Sequence, residues 1–487
     1  MESRQESPAA AQTGAPAAAA TRSQTVETRI GTLDFEHGVP TQETVAKLYD
    51  ELDFQRACQA YLWALPAVSL AQTIANGTFA AGSRPGDVVI LEGYRNVGAV
   101  LTANVTTPYI TWSLDLAQSG PMVVDVPAGL VAGSAVDFWQ RPLTDFGVTG
   151  PDKGEGGRYL FVGPGQESPP ATDATLLRSP TNGVVFFYRV LDPDPAKAER
   201  MTKDVRVYPW SLRADPPLTR FLTPDPDKIS QTVLMPRGME YWARLAAVIE
   251  HEPVEDRDRF FVAMLRPLGI EKGKPFKPDE RQTKLLTEAA FVGEAMAKAN
   301  DFDKRFVGAR YRPDAHWDYV IMADPAQDLA DYSQLDERAA HFCEAICLTN
   351  AMISRVPGVG QAYLGVHRDN EGHAFDGGQS YRLHVPPDPP AKQFWSVTLY
   401  DAETRAIIQN EQQIADRSSR RPDLVQNADG SVDLHFGPAA PSGLETNWIP
   451  TVPGRARFTW LRLFAPTEAY FDRSWKLGDI TRVVTAS

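Results

Sequence analysis

The chain has 487 residues, more than one ordinary hydrophobic core accommodates, so its length favours two or three domains. With 43% hydrophobic and 23% charged residues, its composition is that of a globular protein able to bury a large core. The net charge of -13, without any Lys/Arg cluster that would form a basic face, excludes a nucleic-acid partner.

The N-terminal 28 residues are predicted to form a disordered tail. The chain has no Leu, Ile, Val or Phe before Val26, so burial cannot offset the entropy of ordering this segment. Gly14 and Pro16 break its Ala-rich part, which is a poor hydrophobic region for a signal peptide. No stretch has the apolar length of a membrane span. We therefore expect a cytoplasmic protein with no membrane span.

A helix and a first set of strands are predicted in the N-terminal half. Residues 41–65 carry apolar side chains at helical spacing, and Pro66 is expected to interrupt the helix. From residue 86, short β-branched and aromatic runs alternate with Gly, Pro, Asn and Asp clusters. This pattern is typical of an antiparallel sandwich or barrel, ending near Trp210. The predicted strands are residues 88–91, 109–112, 122–124, 159–162 and 184–190.

Helices and a second set of strands follow. The predicted helices are residues 239–250, 256–265, 279–300 and 334–353. The predicted strands are residues 362–366, 381–385, 394–400, 432–436 and 458–464. The fold class is therefore α+β and β-rich, with two antiparallel β-sandwich or jelly-roll-like domains and a helical middle segment. The predicted boundaries are a tail at 1–28, an N-terminal domain with a leading helix at 29–212, a helical middle and linker at 213–360, and a C-terminal domain at 361–487.

Metal and disulfide chemistry find little support in the sequence. Three cysteines are too few for a disulfide framework. Cys343 and Cys347 share one face of a predicted helix and are interpreted as core residues, without a structural metal. The densest group of His, Asp and Glu residues does not have the regular spacing of a metal-binding motif. A polar turn between two strands is the favoured interpretation of this group. Its members are His367, Asp369, Glu371, His373, Asp376 and His384. No cofactor is predicted.

Several catalytic motifs are absent. The sequence has no Gly-x-Ser-x-Gly nucleophile elbow and no Gly-x-x-x-x-Gly-Lys phosphate loop. Residues 154–157 are Gly-rich but lead into a predicted strand, whereas a dinucleotide-binding loop leads into a helix. His251 and Glu252 begin like a zinc-protease motif, but Glu255 replaces the second His and Pro253 breaks the helix.

The candidate site residues are polar side chains embedded among aromatic ones. Such groups need partners when buried, and a structural network is the favoured interpretation over a functional site. If the site is catalytic, Asp145 or Asp137 is the general base, and Tyr109, Arg405 or Arg462 stabilises negative charge. The candidate ligand-binding residues are Asn104, Thr107, Trp112, Trp139, Asn410, Asn447, Trp448 and Arg462.

Arg462 and Trp448 are expected to have structural roles first and functional roles only second. Arg462 shares a strand face with Trp460 and Phe464, so its guanidinium is predicted to be partly buried and to need acceptors. Asp401 or Glu468 is expected to supply a carboxylate, and loop carbonyls are expected to supply further acceptors. Trp448 is expected to enter the core of the second domain from a loop.

These residues lie in segments that resemble a known bacterial family. The sequence is similar to the two-domain group whose tandem domains of unknown function are numbered twelve-fifty-four and twelve-fourteen. The first domain is indicated by YLWALP at 61–66, LTANVTTPY at 101–109 and GRYLFVGPG at 157–165. The second is indicated by FWSVTLYD at 394–401, DGSV at 429–432, NWIP at 447–450 and RLFAPT at 462–467 with Trp475. The resemblance implies two β-rich domains, brings no established chemistry, and suggests export as the alternative to a cytoplasmic location.

Two functions remain open. The first is a hydrolase-like enzyme acting on a small molecule or sugar-like substrate in an aromatic cleft. The alternative is non-catalytic binding of a carbohydrate or other cyclic ligand on aromatic side chains. Either would have a small-molecule ligand as its partner. A purely structural homo-oligomer is a third interpretation, and it would show only a large apolar surface patch.

Overall fold

The structure is a computed structural model that describes residues 23–78, 82–98, 100–170, 173–227 and 235–483. It contains helices and several β-sheets, so the predicted α+β class is confirmed. The chain divides into two compact units at residue 55. No described helix combines the length and apolarity that crossing a lipid bilayer requires.

The first unit contains a small antiparallel sheet formed by β1 (Gln24–Thr28), β2 (Gly31–Glu36) and β3 (Val39–Pro40). Strand β1 lies inside the segment predicted to be disordered, so the tail prediction is wrong for those residues. Val26 pairs with Leu33 in the β1–β2 hairpin, and this pairing provides the order that composition alone did not indicate. Residues 1–22 of the predicted tail lie outside the described residues.

The long helix α1 (Gln42–Thr73) continues through Pro66, which was expected to interrupt it. A proline inside a helix removes one backbone hydrogen bond and usually bends or ends the helix. Here residues 60–70 are buried without exception, and Leu65 and Ala67 next to the proline are almost fully enclosed. Tertiary packing around this buried turn outweighs the local cost.

The remaining α-helices are mostly short, and the long ones lie in the predicted helical middle. They are α2 (Gly93–Val97), α3 (Leu116–Ser119), α4 (Pro195–Lys203), α5 (Met239–His251), α6 (Arg259–Leu265), α7 (Glu280–Phe302), α8 (Leu335–Glu344) and α9 (Glu468–Phe471). Asp279 begins α7 by accepting a hydrogen bond from the Gln282 backbone N–H, a capping box that the sequence pattern contains. Helix α8 ends before Cys347, whose positive φ of 68° leaves the helical region. Cys343 and Cys347 are both buried free cysteines, but they do not share a helix.

Two facing sheets form the first sandwich. The strands are β4 (Val88–Leu91), β5 (Tyr109–Asp115), β6 (Met122–Val126), β7 (Val131–Asp137), β8 (Pro142–Gly147), β9 (Gly157–Val162), β10 (Thr175–Arg178), β11 (Gly183–Val190), β12 (Arg206–Pro209) and β13 (Phe221–Leu222). The larger sheet has the order β13-β4-β5-β11-β7-β8 and the smaller one β10-β9-β6-β12. Trp112 and Phe186 of the larger sheet share one hydrophobic core with Val124 and Phe161 of the smaller.

A second pair of sheets lies in the C-terminal part. The strands are β14 (Asp318–Tyr319), β15 (Gln361–Val366), β16 (Phe375–Asp376), β17 (Tyr381–Val385), β18 (Ala391–Asp401), β19 (Asp416–Ser418), β20 (Val432–Gly437), β21 (Trp448–Pro450), β22 (Ala456–Pro466) and β23 (Thr481–Arg482). One sheet has the order β14-β15-β22-β18-β19, with β16 also paired to β22, and the other β21-β20-β17-β23. Strand pairs inside the sheets are antiparallel, as predicted. The edge strands β10, β13 and β21 instead pair in parallel, which the sequence pattern does not reveal.

The two sandwiches are joined by one continuous hydrophobic cluster. Leu91 and Val185 of the first sandwich belong to the same buried cluster as Leu364 and Trp460 of the second. Strand β22 is buried along almost its whole length, on both faces. Since side chains alternate along a strand, one face of β22 contacts the smaller C-terminal sheet and the other turns toward the first sandwich. This second face carries the candidate site.

Candidate functional site

A cavity of about 120 Å³ lies where the two sandwiches meet. Strands β5, β7 and β11 form one wall, β15 and β22 the other, and the segments 100–104 and 345–352 close its ends. The lining is largely apolar and aromatic, the usual character of a small-molecule site. The lining residues are Val100, Leu101, Thr102, Asn104, Tyr109, Ala132, Gly133, Ser134, Phe187, Arg189, Ala345, Ile346, Cys347, Thr349, Ala351, Met352, Gln361, Tyr363, Trp460 and Arg462.

Arg189 on β11 provides one positive charge in this cavity. Its Nη2 donates to Asn104 Oδ1 at 2.8 Å and to the Thr107 hydroxyl, and its guanidinium lies 4.8 Å from the centre of the Tyr109 ring. Within the described part of the chain no carboxylate forms an ion pair with it, and its Nε is buried without a hydrogen-bond partner. A partly buried guanidinium that lacks a carboxylate partner favours binding an anion.

Arg462 on β22 provides the second positive charge. It is 3% exposed, and it donates to Thr398 Oγ1 at 3.1 Å and to the Thr102 carbonyl at 2.6 Å. The guanidinium lies 5.0 Å from the centre of the Trp460 ring. Aromatic rings and neutral oxygens contact this cation, and the carboxyl of Asp416 interacts with it through space without forming an ion pair.

The predicted carboxylate partner of Arg462 is not found among the described residues. Asp401 instead accepts from Arg455 Nε at 2.7 Å, and Glu468 lies in the first turn of α9 without an ion pair to Arg462. The prediction was wrong because sequence proximity to β22 does not place a carboxylate on the face that carries Arg462.

Polar groups with hydrogen-bonding capacity surround the two cations. Asn104 is 2% exposed, and its backbone N–H donates to the Tyr109 hydroxyl at 3.2 Å. Ser134 lines the cavity, and its hydroxyl donates to Asp145, which lies behind it. Burial raises the pKa of the Asp145 carboxyl above its ordinary value, against the Ser134 hydrogen bond. Of the predicted site residues, Asn104, Tyr109 and Arg462 line this cavity, and Thr107 and Asp145 contact its lining.

Asp137 and Arg405 lie away from the cavity and have structural partners. Asp137 is 1% exposed and accepts from the backbone N–H groups of Trp139 and Arg141 at 2.8 Å each. Burial raises the pKa of Asp137 to about 6, against the nearby guanidinium of Arg141. Arg405 is 1% exposed and donates to the backbone carbonyls of Cys343 and Glu403. Neither side chain is placed to act on a ligand in the cavity.

The other predicted ligand-binding residues also lie elsewhere. Trp112 is buried in the first sandwich and stacks on Phe186, with ring centres 4.6 Å apart. Trp139 packs against Trp63 at 4.6 Å. The three remaining residues donate side-chain hydrogen bonds to backbone carbonyls. Asn410 donates to Ile414 and Pro450, and Asn447 donates to Val425 and Asp433. The half-buried Trp448 donates to Gly437.

Arg189 is the main cavity residue that the sequence did not identify. It is the first charged residue in the apolar run 184–190, and a charge inside such a run is a signal that could have been used. Ser134, Gln361 and Tyr363 carry no comparable signal. They reach the cavity because β7 and β15 turn those faces toward it.

A larger cavity of about 280 Å³ lies beside α5. Its charged lining groups have partners within the described chain: Glu252 accepts from the Asn182 and Gly183 backbone N–H groups, and His251 lies 3.5 Å from Asp115. Arg244 donates to Gln72 at 3.1 Å. Since those groups satisfy one another, we place the candidate ligand site in the cavity that contains Arg189 and Arg462.

A buried charged cluster lies next to that site, on the far side of Trp460. One ligand atom each from Asp301, Glu344 and His367 lie within 4.8 Å of one another, and Lys304 Nζ donates to Asp301 Oδ1 at 2.9 Å. Burial raises the pKa of Asp301 to about 7 and lowers the pKa of His367 to about 4. Burial also raises the pKa of Glu344. These residues could hold a metal ion.

Of the residues selected from the sequence as possible metal ligands, only His367 belongs to this cluster. His384 instead contacts Asp433 at 2.9 Å, and His373 lies exposed beside Asp369 and Glu371. Asp301 and Glu344 were missed because they lie on α7 and α8, and only packing of these helices against β15 brings them to His367.

Comparison with known proteins identifies the class of this chain and assigns no activity. Residues 87–209 match the family described as protein of unknown function (DUF1254), and residues 360–468 match protein of unknown function (DUF1214). The chain therefore carries these two domains in tandem, which confirms the resemblance seen in the sequence. No protein of curated function matches it.

Two solved structures are similar to the chain. The crystal structure of the VPA0106 protein from Vibrio parahaemolyticus is 17% identical, with a TM-score of 0.54 over 89% of this chain and 100% of that chain. This is a similarity of fold alone. An uncharacterized protein from Burkholderia cenocepacia is 12% identical, with a TM-score of 0.39 over 91% of this chain and 98% of that chain.

Proposed function

We propose that the chain binds a small organic acid in the cavity between its two sandwiches. The observation that carries this proposal is the pair of guanidiniums, Arg189 and Arg462, in a lining that contains no Asp or Glu among its described residues. A guanidinium removed from water without a carboxylate in direct contact is costly, and a bound carboxylate would offset that cost at both side chains. Arginine is suited to this role because its planar donors match a carboxylate.

The apolar part of the lining indicates what the acid carries. Phe187, Ile346, Met352 and Trp460 present carbon surface, which would accept an aromatic or branched aliphatic body. The polar side chains of Asn104 and Tyr109 would orient it. A neutral carbohydrate would bury polar hydroxyls against this carbon surface and give neither guanidinium a carboxylate in direct contact. An acidic ligand therefore fits the cavity better than the sugar expected from the sequence.

Benzoate tests this proposal, with benzamide as its neutral match in shape. Benzoate should raise the melting temperature, and benzamide should not. In Arg189→Met, loss of a charge-assisted hydrogen bond of about 1.5–3 kcal/mol should weaken benzoate binding roughly ten- to hundredfold in calorimetric titration.

Arg213→Met is the matched control, because Arg213 is an exposed arginine stacked 4.4 Å from the Trp210 ring and outside the cavity. It should bind benzoate as the unaltered protein does. Equal stabilisation by benzoate and benzamide, or unchanged affinity in Arg189→Met, would contradict the proposal.

The hydrolase-like function is a second candidate, favoured by the contact between Ser134 and Asp145 at the cavity wall. A buried carboxylate with a raised pKa can act as a general base toward the serine hydroxyl. Arg189 and Arg462 would then stabilise the oxyanion of an ester substrate.

Ester hydrolysis is measured with p-nitrophenyl acetate. Turnover above that of the solvent should be lost in Ser134→Ala and in Asp145→Asn and kept in Arg213→Met. Absence of turnover in the unaltered protein, or turnover that survives Ser134→Ala, would leave binding as the function of the cavity.

A further inference from the structure

The cluster of Asp301, Glu344 and His367 has the composition of a metal site and lies outside the cavity described above. Asp301 and Glu344 are fully buried, and the His367 side chain is 8% exposed. His367 Nε2 lies 3.6 Å from Glu344 Oε2. Ligand bonds of about 2.0–2.2 Å place neighbouring ligand atoms roughly 3–3.6 Å apart, so an ion between these two atoms requires little movement.

The ligand atoms lack the partners that buried polar atoms normally have. Glu344 Oε1, Glu344 Oε2, Asp301 Oδ2 and His367 Nε2 are all buried without a hydrogen bond to any described residue. Buried polar atoms are nearly always hydrogen-bonded, and here three carboxylate oxygens and one imidazole nitrogen are not. One ligand atom from each of the three residues lies within 4.8 Å of the others, so a cation among them would give each residue a partner.

The surroundings orient the ligands as a metal site would. The His367 ring packs against both Phe302 and Phe458, with ring centres 4.3 and 5.1 Å away, and those two rings also contact each other at 5.8 Å. This packing restricts the orientation of the imidazole. Lys304 binds the other oxygen of Asp301, Oδ1, and leaves Oδ2 available. A second residue that holds the free oxygen of a ligating carboxylate is the usual support of a metal ligand.

We propose that Asp301, Glu344 and His367 bind one divalent transition-metal ion. One imidazole nitrogen and two carboxylates form a mixed nitrogen and oxygen set, which suits Zn²⁺, Mn²⁺ or Fe²⁺ and disfavours Ca²⁺ and Mg²⁺, ions that take oxygen ligands alone. The two carboxylates and Lys304 carry a net charge of -1 without the ion. A bound divalent ion changes this net charge to +1 and places its positive charge in direct contact with the two carboxylates.

The competing explanation is a structural network in which the two carboxylates share a proton beside Lys304. That network needs no ion and would be indifferent to chelation. The two explanations therefore differ in metal content and in where the metal binds.

Metal content is measured on protein stripped with dipicolinate and then titrated with Zn²⁺ and, separately, Mn²⁺. One equivalent of at least one of these ions should bind to the full chain. His367→Gln and Glu344→Gln should each weaken binding at least a hundredfold, because each removes one of three ligands. Absence of stoichiometric binding in the unaltered protein would overturn the proposal.

His384→Gln is the control, because His384 also contacts a carboxylate, Asp433, but is half-exposed on a strand. It should bind the ion unchanged. Equal loss in His384→Gln, or binding that survives both His367→Gln and Glu344→Gln, would place the ion elsewhere and overturn the proposal.

If the variants do not fold, crystals of the unaltered protein soaked in Zn²⁺ test where the ion binds. Anomalous diffraction at the zinc edge should give a peak between Asp301, Glu344 and His367. A peak elsewhere, or no peak, would contradict the site.

Discussion

Replacing Lys304 by Met is expected to lower the free energy of unfolding by about 3–5 kcal/mol at pH values above 7, where the substitution leaves ionised buried carboxylates without their partner. The Lys304 side chain is 2% exposed and donates to the side chain and the backbone carbonyl of Asp301. Burial alone would lower the pKa of Lys304, but Asp301 and Glu344 outweigh it and hold that pKa above its ordinary value. The ammonium is therefore charged throughout the neutral range and balances the carboxylates.

The loss of unfolding free energy in Lys304→Met should grow as the pH rises. The folded pKa of Asp301 is already raised to about 7 from an unfolded value of 3.8, and removing the ammonium would raise it further. A raised carboxyl pKa gives stability that is present below the unfolded pKa and is lost as pH rises through the folded pKa. Lys304→Met should therefore be most destabilised above pH 7 and recover as pH falls toward 4. Chemical denaturation at several pH values measures this.

Lys298→Met is the matched control on α7. Lys298 pairs with Glu294 at 3.4 Å and Glu403 at 3.1 Å, and its side chain is 24% exposed, so water replaces part of the lost interaction. A cost within about 1 kcal/mol is expected there. Equal effects of the two substitutions would show that the buried cluster is not held by Lys304. If the cluster binds a metal, Zn²⁺ should also restore part of the stability of Lys304→Met.

Replacing Arg405 by Met should destabilise the fold by about 3–5 kcal/mol and leave binding in the cavity unchanged in the folded fraction. Arg405 Nε donates to the Cys343 carbonyl at 3.0 Å, Nη1 donates to Glu403 at 2.6 Å, and Nη1 lies 3.5 Å from Glu294. Its backbone, in the left-handed region with φ of 58°, accepts a hydrogen bond from the Thr102 N–H. The side chain thus joins α7, the end of α8 and the turn after β18.

Arg421→Met is the control, because Arg421 and its partner Asp423 are each 43% exposed. Its melting temperature should stay close to that of the unaltered protein. Native stability of Arg405→Met together with lost benzoate binding would instead assign Arg405 to the functional site. That outcome would restore the role suggested by the sequence.

The structural partners explain why several site predictions fell on residues outside the cavity. Asp137, Asn410 and Asn447 are polar residues beside aromatic ones, and each is occupied by backbone N–H or carbonyl groups nearby in space. A sequence shows that such a residue needs a partner, but it does not show whether the partner is a loop or a ligand. Asn104 is also a polar residue in a segment with aromatic neighbours, but its Oδ1 accepts a hydrogen bond from Arg189, which lines the cavity.

Local pattern identified the long helices and many of the strands, although it missed β7 and β8 and extended α8 beyond Glu344. Alternation along β22 placed Trp460, Arg462 and Phe464 on one face before any contact was known, and the predicted helix at 279–300 corresponds to α7. The exceptions are places where non-local packing outweighs a local preference, as at Pro66 in α1.

The sequence by itself determined the α+β class, the long helices, many of the strands, the two tandem domains and the burial of Arg462. Only the tertiary structure decided that Arg462 meets Arg189 across one cavity, and that Asp301, Glu344 and His367 meet around one point. The physical reason is that periodicity and composition report how each residue relates to its own strand or helix. The partner of a buried charge is instead chosen by the packing of elements that are far apart in the chain.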